Sequence, residues 1–159
     1  MQDMVPSWSR DGKWIYFNSD RSGEWQIWKA PPEGGKAIQV RQNAGSAVFE
    51  SVDGRYLYFT SQLEGGPLLR MPVAGGPETE VAPKVLPWES ISITANGAYF
   101  LGFEHAPNVR GRHGQIRTVA KAEKYSFGFQ VSVSPDDAYL VFSEFENAGS
   151  DLMLVENFR

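Results

Sequence analysis

The residues of this chain whose types and spacing could do chemistry are two histidines, a few serines beside glycine, and one glutamate in an apolar position. His105 and His113 stand eight residues apart with Glu104 next to the first, in a stretch that also holds Pro107 and Gly111. A metal centre wants three or four ligands on rigid elements, oriented by outer partners. Two histidines on a loop of this kind read more simply as solvated side chains. A serine nucleophile would sit in a G-x-S-x-G elbow. The sequences Ala44-Gly45-Ser46-Ala47 and Ala148-Gly149-Ser150-Asp151 both lack the second glycine. With no cysteine in the chain, thiolate chemistry and disulfides drop out as well. The expectation is a chain that is not an enzyme, with no catalytic residue, no metal and no cofactor.

Binding is better represented than catalysis. Between residues 105 and 124 lie Arg110, Arg112, Arg117, Lys121 and Lys124 against the single acid Glu123, while residues 136 to 159 carry Asp136, Asp137, Glu144, Glu146, Asp151 and Glu156 against Arg159. A basic patch beside an acidic one suits an acidic partner, and balanced neighbouring surfaces are the plainer reading. The net charge of -4 offers no general attraction to nucleic acid or anionic lipid. The basic residues also lack interleaved stacking aromatics, so no nucleic acid is expected to bind this region. Of the tryptophans, Trp8, Trp14, Trp28 and Trp88 fall on or beside predicted strands and read as core. Trp25, at the end of a turn next to Glu24, is the one best placed for an exposed contact.

These residues are positioned by a repeat. Asp11, Asp53, Asn96 and Asp136 recur at intervals of 42, 43 and 40 residues, and a period near 40 indicates propeller blades. Asp11-Gly12, Asp53-Gly54 and Asn96-Gly97 tolerate the positive φ that tight hairpins require. Each is followed by an aromatic and β-branched run, at 14–17, 56–59 and 99–101, with a fourth such run at 139–142. Little polar alternation interrupts these runs, so both faces are expected to be covered, as in stacked sheets. Second turns follow at 20–23, 64–66 and 147–150, and Gly34-Gly35 and Gly75-Gly76 turn the chain into a fourth strand.

The fold class predicted is therefore all-β: a β-propeller region of four-stranded antiparallel blades over 5–42, 47–84, 90–124 and 130–159, forming a single domain across 1–159. With 159 residues, 42% of them hydrophobic, the chain can bury roughly two thirds of its unfolded surface. Blade three is irregular, with Gly102 where the other blades have Phe and a hairpin about four residues longer that contains both histidines. Blade four has only three evident strands. Open strand edges and uncovered apolar faces invite pairing, so the chain is expected to be half of a larger ring or to complete itself as a homodimer. Residues 1 to 5 contain no signal-peptide pattern, and no run reaches the about 18 apolar residues of a membrane span, so no membrane insertion is expected.

Propellers commonly bind on the rim carrying the loops between second and third strands. That rim would present Asp20, Arg21, Glu24, Trp25, Glu64, His105, Arg110, Arg112 and His113 as candidates for a partner-binding face. Glu50 stands apart, because it replaces the apolar residue seen at Trp8, Ile93 and Val133 on the innermost strand. In a wet central channel it could hold a cation or a partner's basic group, or simply be a solvated carboxylate.

The segment 8–17, W-S-R-D-G-K-W-I-Y-F, and its echoes at 50–59 and 133–142 resemble the W-S-P-D-G-K-x-I-x-F repeat of TolB-type propellers, a WD-like family with its own motif. Blade three departs with Ala95-Asn96-Gly97, and blade four has Asp137 where Gly is usual. The ending 150–158 resembles the carboxy terminus of bacterial winged-helix (CadC-like) transcriptional regulators, in which such a propeller follows a DNA-binding domain. These resemblances imply a non-catalytic protein- or ligand-binding and sensing module, the carboxy-terminal part of a bacterial regulator or envelope-associated protein. They imply a periplasmic setting; without them the cytoplasm is the default. The alternative function is the propeller portion of a prolyl-peptidase-like serine hydrolase that lacks its catalytic domain.

Overall fold

The computed structural model describes residues 1–86, 90–102, 107–111, 115–119, 130–146 and 149–156, and for 107–111, 144–146 and 149–153 the backbone alone. Fifteen strands form four antiparallel sheets in chain order. The first holds β1 (Asp3–Trp8), β2 (Ile15–Ser19), β3 (Gln26–Ala30) and β4 (Ile38–Gln39). The second holds β5 (Ser46–Glu50), β6 (Tyr56–Thr60), β7 (Gly66–Pro72) and β8 (Thr79–Val85). The third holds β9 (Ile91–Ile93), β10 (Gly97–Leu101), β11 (Pro107–Gly111) and β12 (Ile116–Thr118). The last has three strands, β13 (Val131–Val133), β14 (Tyr139–Glu146) and β15 (Gly149–Glu156). Innermost strands lie side by side, β1 against β5, β5 against β9 and β9 against β13. This is the expected all-β propeller arrangement with open ends.

The turn between first and second strands is built by side chains. In the first sheet the Ser9 hydroxyl donates to Asp11 Oδ1 (2.8 Å) and accepts from the Trp14 N–H (2.9 Å), while the Lys13 N–H donates to the same Asp11 oxygen (3.1 Å). Ser51 with Asp53 and Ser134 with Asp136 repeat this pattern. The short polar side chains thus satisfy backbone groups that the turn takes out of the ladder. Gly12 (φ 71°) and Gly54 (φ 68°) take the left-handed backbone, and Asp137 takes it too (φ 57°), a conformation aspartate tolerates better than most residues.

The third sheet is different. Its turn is closed by the Thr94 N–H donating to the Gly97 carbonyl, two residues shorter than the Ser9-to-Trp14 and Ser51-to-Tyr56 closures. Gly97 begins β10 and has no left-handed backbone. The shortening moves the register: Phe100 pairs with Ile91 as Phe142 pairs with Val131, so Phe100 is the third sheet's counterpart of Phe142. Gly102 is not at the Phe position, contrary to the spacing argument. Nor is the following hairpin long, since Leu101 pairs with Pro107 and leaves a five-residue loop.

Each interface between sheets is one apolar cluster. Tyr16 and Ile27 of the first sheet pack on Val48, Leu57, Phe59 and Met71 of the second. Leu68, Val81, Ala82 and Val85 meet Ile91, Ala98 and Phe100 of the third. Leu86, Tyr99 and Leu101 meet Val131, Leu140 and Phe142 of the fourth. Alternation along a strand sends one set of side chains to each neighbouring sheet. The outermost faces have no such cover: Trp8 on the first sheet is 59% exposed, and Tyr139 and Leu154 on the last are 48% and 55% exposed.

Ser51 is buried and its hydroxyl accepts two backbone N–H groups, of Arg55 (3.1 Å) and Tyr56 (2.9 Å). Ser51→Ala should lower unfolding free energy by about 1 to 3 kcal/mol, the cost of leaving buried donors unmet. Denaturant titration of both proteins checks this; a loss near zero would mean the turn is held by backbone alone.

Candidate functional site

The turns between first and second strands project past the packed sheets, and two clefts open between their flanks. One, of about 400 Å3, lies between the first and second sheets and is lined by Arg10, Trp14, Tyr16, Lys29 and Glu50 among others. The other, of about 580 Å3, lies between the second and third and is lined by Tyr56, Tyr58, Arg70, Ile93 and Thr94 among others. Cross-strand register makes their walls equivalent. Tyr16 pairs with Lys29 as Tyr58 pairs with Arg70. Lys29 Nζ stands 4.5 Å from the centre of the Trp14 ring, and the Arg70 guanidinium 5.0 Å from that of Tyr56. Each wall is therefore an aromatic face carrying a cation, an arrangement worth about 0.5 to 1 kcal/mol where solvent reaches it.

The clefts differ on the opposite wall. Glu50 pairs with Leu57, and Ile93 pairs with Ala98, so Ile93 takes in the second cleft the place of Glu50 in the first. Glu50 is only 7% exposed and its Oε2 has no hydrogen-bond partner. Burial pushes its carboxyl above the ordinary glutamate range, against the opposing pull of the Arg10 backbone and the Tyr16 hydroxyl. Burial and the charge of Glu50 in turn raise the Tyr16 phenol. The position of Glu50 beside an inter-sheet core corrects the expectation of a solvated channel carboxylate. Gly54, at φ +68°, leaves room for it: a Cβ there would stand 3.2 Å from Glu50 Oε1.

The residues expected on the opposite rim are placed as follows. Asp20, Arg21, Glu24 and Trp25 occupy the β2–β3 loop and Glu64 the β6–β7 loop. Asp20 Oδ1 accepts from the Gln2 N–H (2.6 Å). Arg21 is tied to Asp3 at 2.9 Å and stacks over Phe17 and Trp28, so it closes the first sheet's outer face. Glu24 and Glu64 are exposed, whereas Trp25 is half-buried. Arg110 is not on this rim: it lies on β11 level with Ala98, toward the β9–β10 turn. His105, Arg112 and His113 lie outside the described residues. Among the described residues no group of three metal-ligating side chains occurs.

One functional-looking pair has no signal in the repeat pattern. Arg41, 8% exposed, follows β4, and its guanidinium makes paired bonds to Glu78 (2.6 and 2.9 Å), caps the Ala44 carbonyl and stacks on Phe59. It clips the outer edge of the first sheet to the second, and its charge holds the Glu78 carboxyl below the usual range.

No family model matches the chain. A 39-residue segment, 24% of this chain and 13% of the relative, is 44% identical to an uncharacterized protein of Agrobacterium fabrum. The structure is similar to TolB from Acinetobacter baumannii (TM-score 0.80, 16% identity, 98% of this chain and 41% of that one). It is similar to a putative TolB from Agrobacterium tumefaciens (TM-score 0.78, 17% identity, 98% and 58%). A puromycin hydrolase also matches (TM-score 0.71, 13% identity, 95% and 26%). The fold is a TolB-like β-propeller, and the chain spans about half or less of the lengths of these three structures.

Because the folded state raises the Glu50 pKa, folding takes up a proton there. The Glu50 contribution to stability is full below the unfolded value, about pH 4, and is lost as pH rises through the folded one. Glu50→Gln should gain on the parent as pH rises from about 4 to about 8. Paired thermal melts across that range check the sign; a constant difference would mean the carboxyl titrates as it does in the unfolded chain.

Proposed function

We propose that this chain is a non-catalytic binding or sensing module, part of a larger propeller in a bacterial regulator or envelope-associated protein, with the clefted rim as its recognition surface. The observation that carries this reading is the pair of equivalent clefts. Aromatic walls with cations and convergent polar groups characterise ligand pockets, and the same walls recur one repeat apart. The winged-helix regulator resemblance of the tail and a periplasmic setting fit the same reading, since a sensing module needs a surface for a signal and no reactive group.

A second reading has a specific support in the puromycin hydrolase likeness: the propeller portion of a prolyl-peptidase-like hydrolase. A downstream G-x-S-x-G in the parent gene decides for it. On the first reading, Lys29→Ala and Arg70→Ala keep the parent's melting temperature within a few degrees and abolish retention of the partner from a lysate of the source organism. Retention lost only on changing Asp20, Glu24 or Glu64 would move the recognition surface to the opposite rim.

The homodimer follows from the uncovered faces. Trp8, Ile15 and Phe17 on the first sheet sit at the register positions that Leu57 and Phe59 use to pack on a neighbour, and Tyr139 and Leu154 lie on the face that the last sheet turns away from the third. A twofold pairing would make both seams equivalent. Light scattering should show the 159-residue chain associating as concentration rises, and Trp8→Glu with Leu154→Glu should return it to monomer mass. A parent that stays monomeric throughout would rule this seam out.

A further inference from the structure

We infer that the cleft between the first and second sheets is a receptor for a single cationic group, a guanidinium or ammonium, with Glu50 as its counter-ion. This deepens the reading of the clefts as the recognition surface and rests on it. The equivalent position is apolar in the other sheets, at Trp8, Ile93 and Val133, so the repeat frame has no structural need of a carboxylate here. Burying an ionisable group without a full set of partners costs stability. The carboxylate nevertheless lies at the cleft floor with Oε2 unpartnered, and among the described residues no cation comes within ion-pair distance of it.

The two cations that line the cleft are committed elsewhere. Lys29 lies over the Trp14 ring. Arg10 is exposed and donates from its guanidinium only to the Glu50 backbone carbonyl, at 3.3 Å. That single long bond to a neutral acceptor shows that a guanidinium reaches this cleft, and that Arg10 can be displaced at small cost. The acids at the rim, Asp11 and Asp53, are each neutralised by a neighbour, Lys13 (3.4 Å) and Arg55 (2.7 Å). Glu50 is thus the uncompensated charge. An incoming cation would gain a charge-assisted hydrogen bond from a desolvated carboxylate, with the Trp14 and Tyr16 rings beside its alkyl stem. The second cleft has Ile93 in this place and should not select a cation.

The test is titration of the full chain with N-acetyl-arginine amide and with Gly-Gly-Arg-Gly-Gly, followed by the Trp14 indole NMR signal and by calorimetry. N-acetyl-glutamine amide is the neutral control. Expected are saturable binding of the arginine probes, none of the control, and an affinity reduced about tenfold or more by Glu50→Gln. Tighter binding of the peptide would assign the group to a peptide partner, and equal binding to a free small cation. Glu50→Ile, which installs the residue of the third sheet, should melt higher than the parent while binding neither probe.

Absence of binding by both arginine probes overturns the inference, as does binding unchanged in Glu50→Gln. Lower melting of both variants would show that Glu50 anchors the fold, and would overturn it as well. If lysate partner retention still depends on Lys29 and Arg70 in any of these cases, the clefts remain the recognition surface and only the counter-ion role falls.

Discussion

The structure depends on one constraint: no sheet here has a core of its own. A four-stranded antiparallel sheet of this size has two faces and almost no interior, so its large side chains leave water only when another sheet lies on them. Tyr16, Leu57 and Phe59, or Tyr99, Leu140 and Phe142, are buried by a neighbour and not by their own strands. At about 1.5 to 3 kcal/mol for each large apolar side chain, these contacts outweigh any single turn or ion pair. Stability is then nearest-neighbour in kind, as in other repeat arrays, and the terminal faces bearing Trp8 and Leu154 are what remains when a neighbour is lacking.

Stacking also fixes where polar groups can go. The inner strands are stitched across sheets by hydrogen bonds whose partners are about one repeat apart: the Ser7 hydroxyl to the Val48 carbonyl (2.6 Å), and the Val133 N–H to the Ser92 hydroxyl (3.2 Å). A shorter link, the Asn18 amide to the Ser46 hydroxyl (2.7 Å), joins the first two sheets beside them. These bonds set the spacing of the sheets at the centre, and Arg41 with Glu78 sets it at the outer edge of the first pair. Where the turns extend beyond the stitched region, the sheets no longer touch. The clefts are therefore a consequence of packing twisted sheets around a common inner edge, and their walls are rigid because the Ser-x-Asp turns are internally bonded.

Much of this was readable from the chain. The 40-residue period, the Asp-Gly turns, the three-stranded last sheet and the equivalence of Glu50 with Trp8, Ile93 and Val133 all follow from residue types at fixed spacing. What was not readable depends on register. A two-residue shortening at Thr94 moves Phe100 into the position that spacing assigned to Gly102, because side chains alternate with a period of two and the turn is the only place where residues can be dropped. The bulges at Val5 and Ala47, both with positive φ, have no sequence mark, since β-branched and alanine side chains seldom take that backbone. Arg110 was assigned to a loop because Pro107 and Gly111 suggested one; pairing with β10 places it on a strand instead.

Glu50 shows why register decides function as well as fold. A residue on an innermost strand can face the ring centre or the neighbouring sheet, and only its cross-strand partner tells which. Pairing with Leu57, which packs against the first sheet, sends Glu50 into the seam beside Tyr16, where water is scarce and an unpaired oxygen is costly. A repeat frame makes such a cost tolerable, because the interfaces at the other register positions carry the fold independently. The same independence lets one cleft differ from its twin by a single wall residue, glutamate in one and isoleucine in the other, without disturbing the turns that frame both. Selectivity in this molecule is therefore a matter of which register position departs from the repeat.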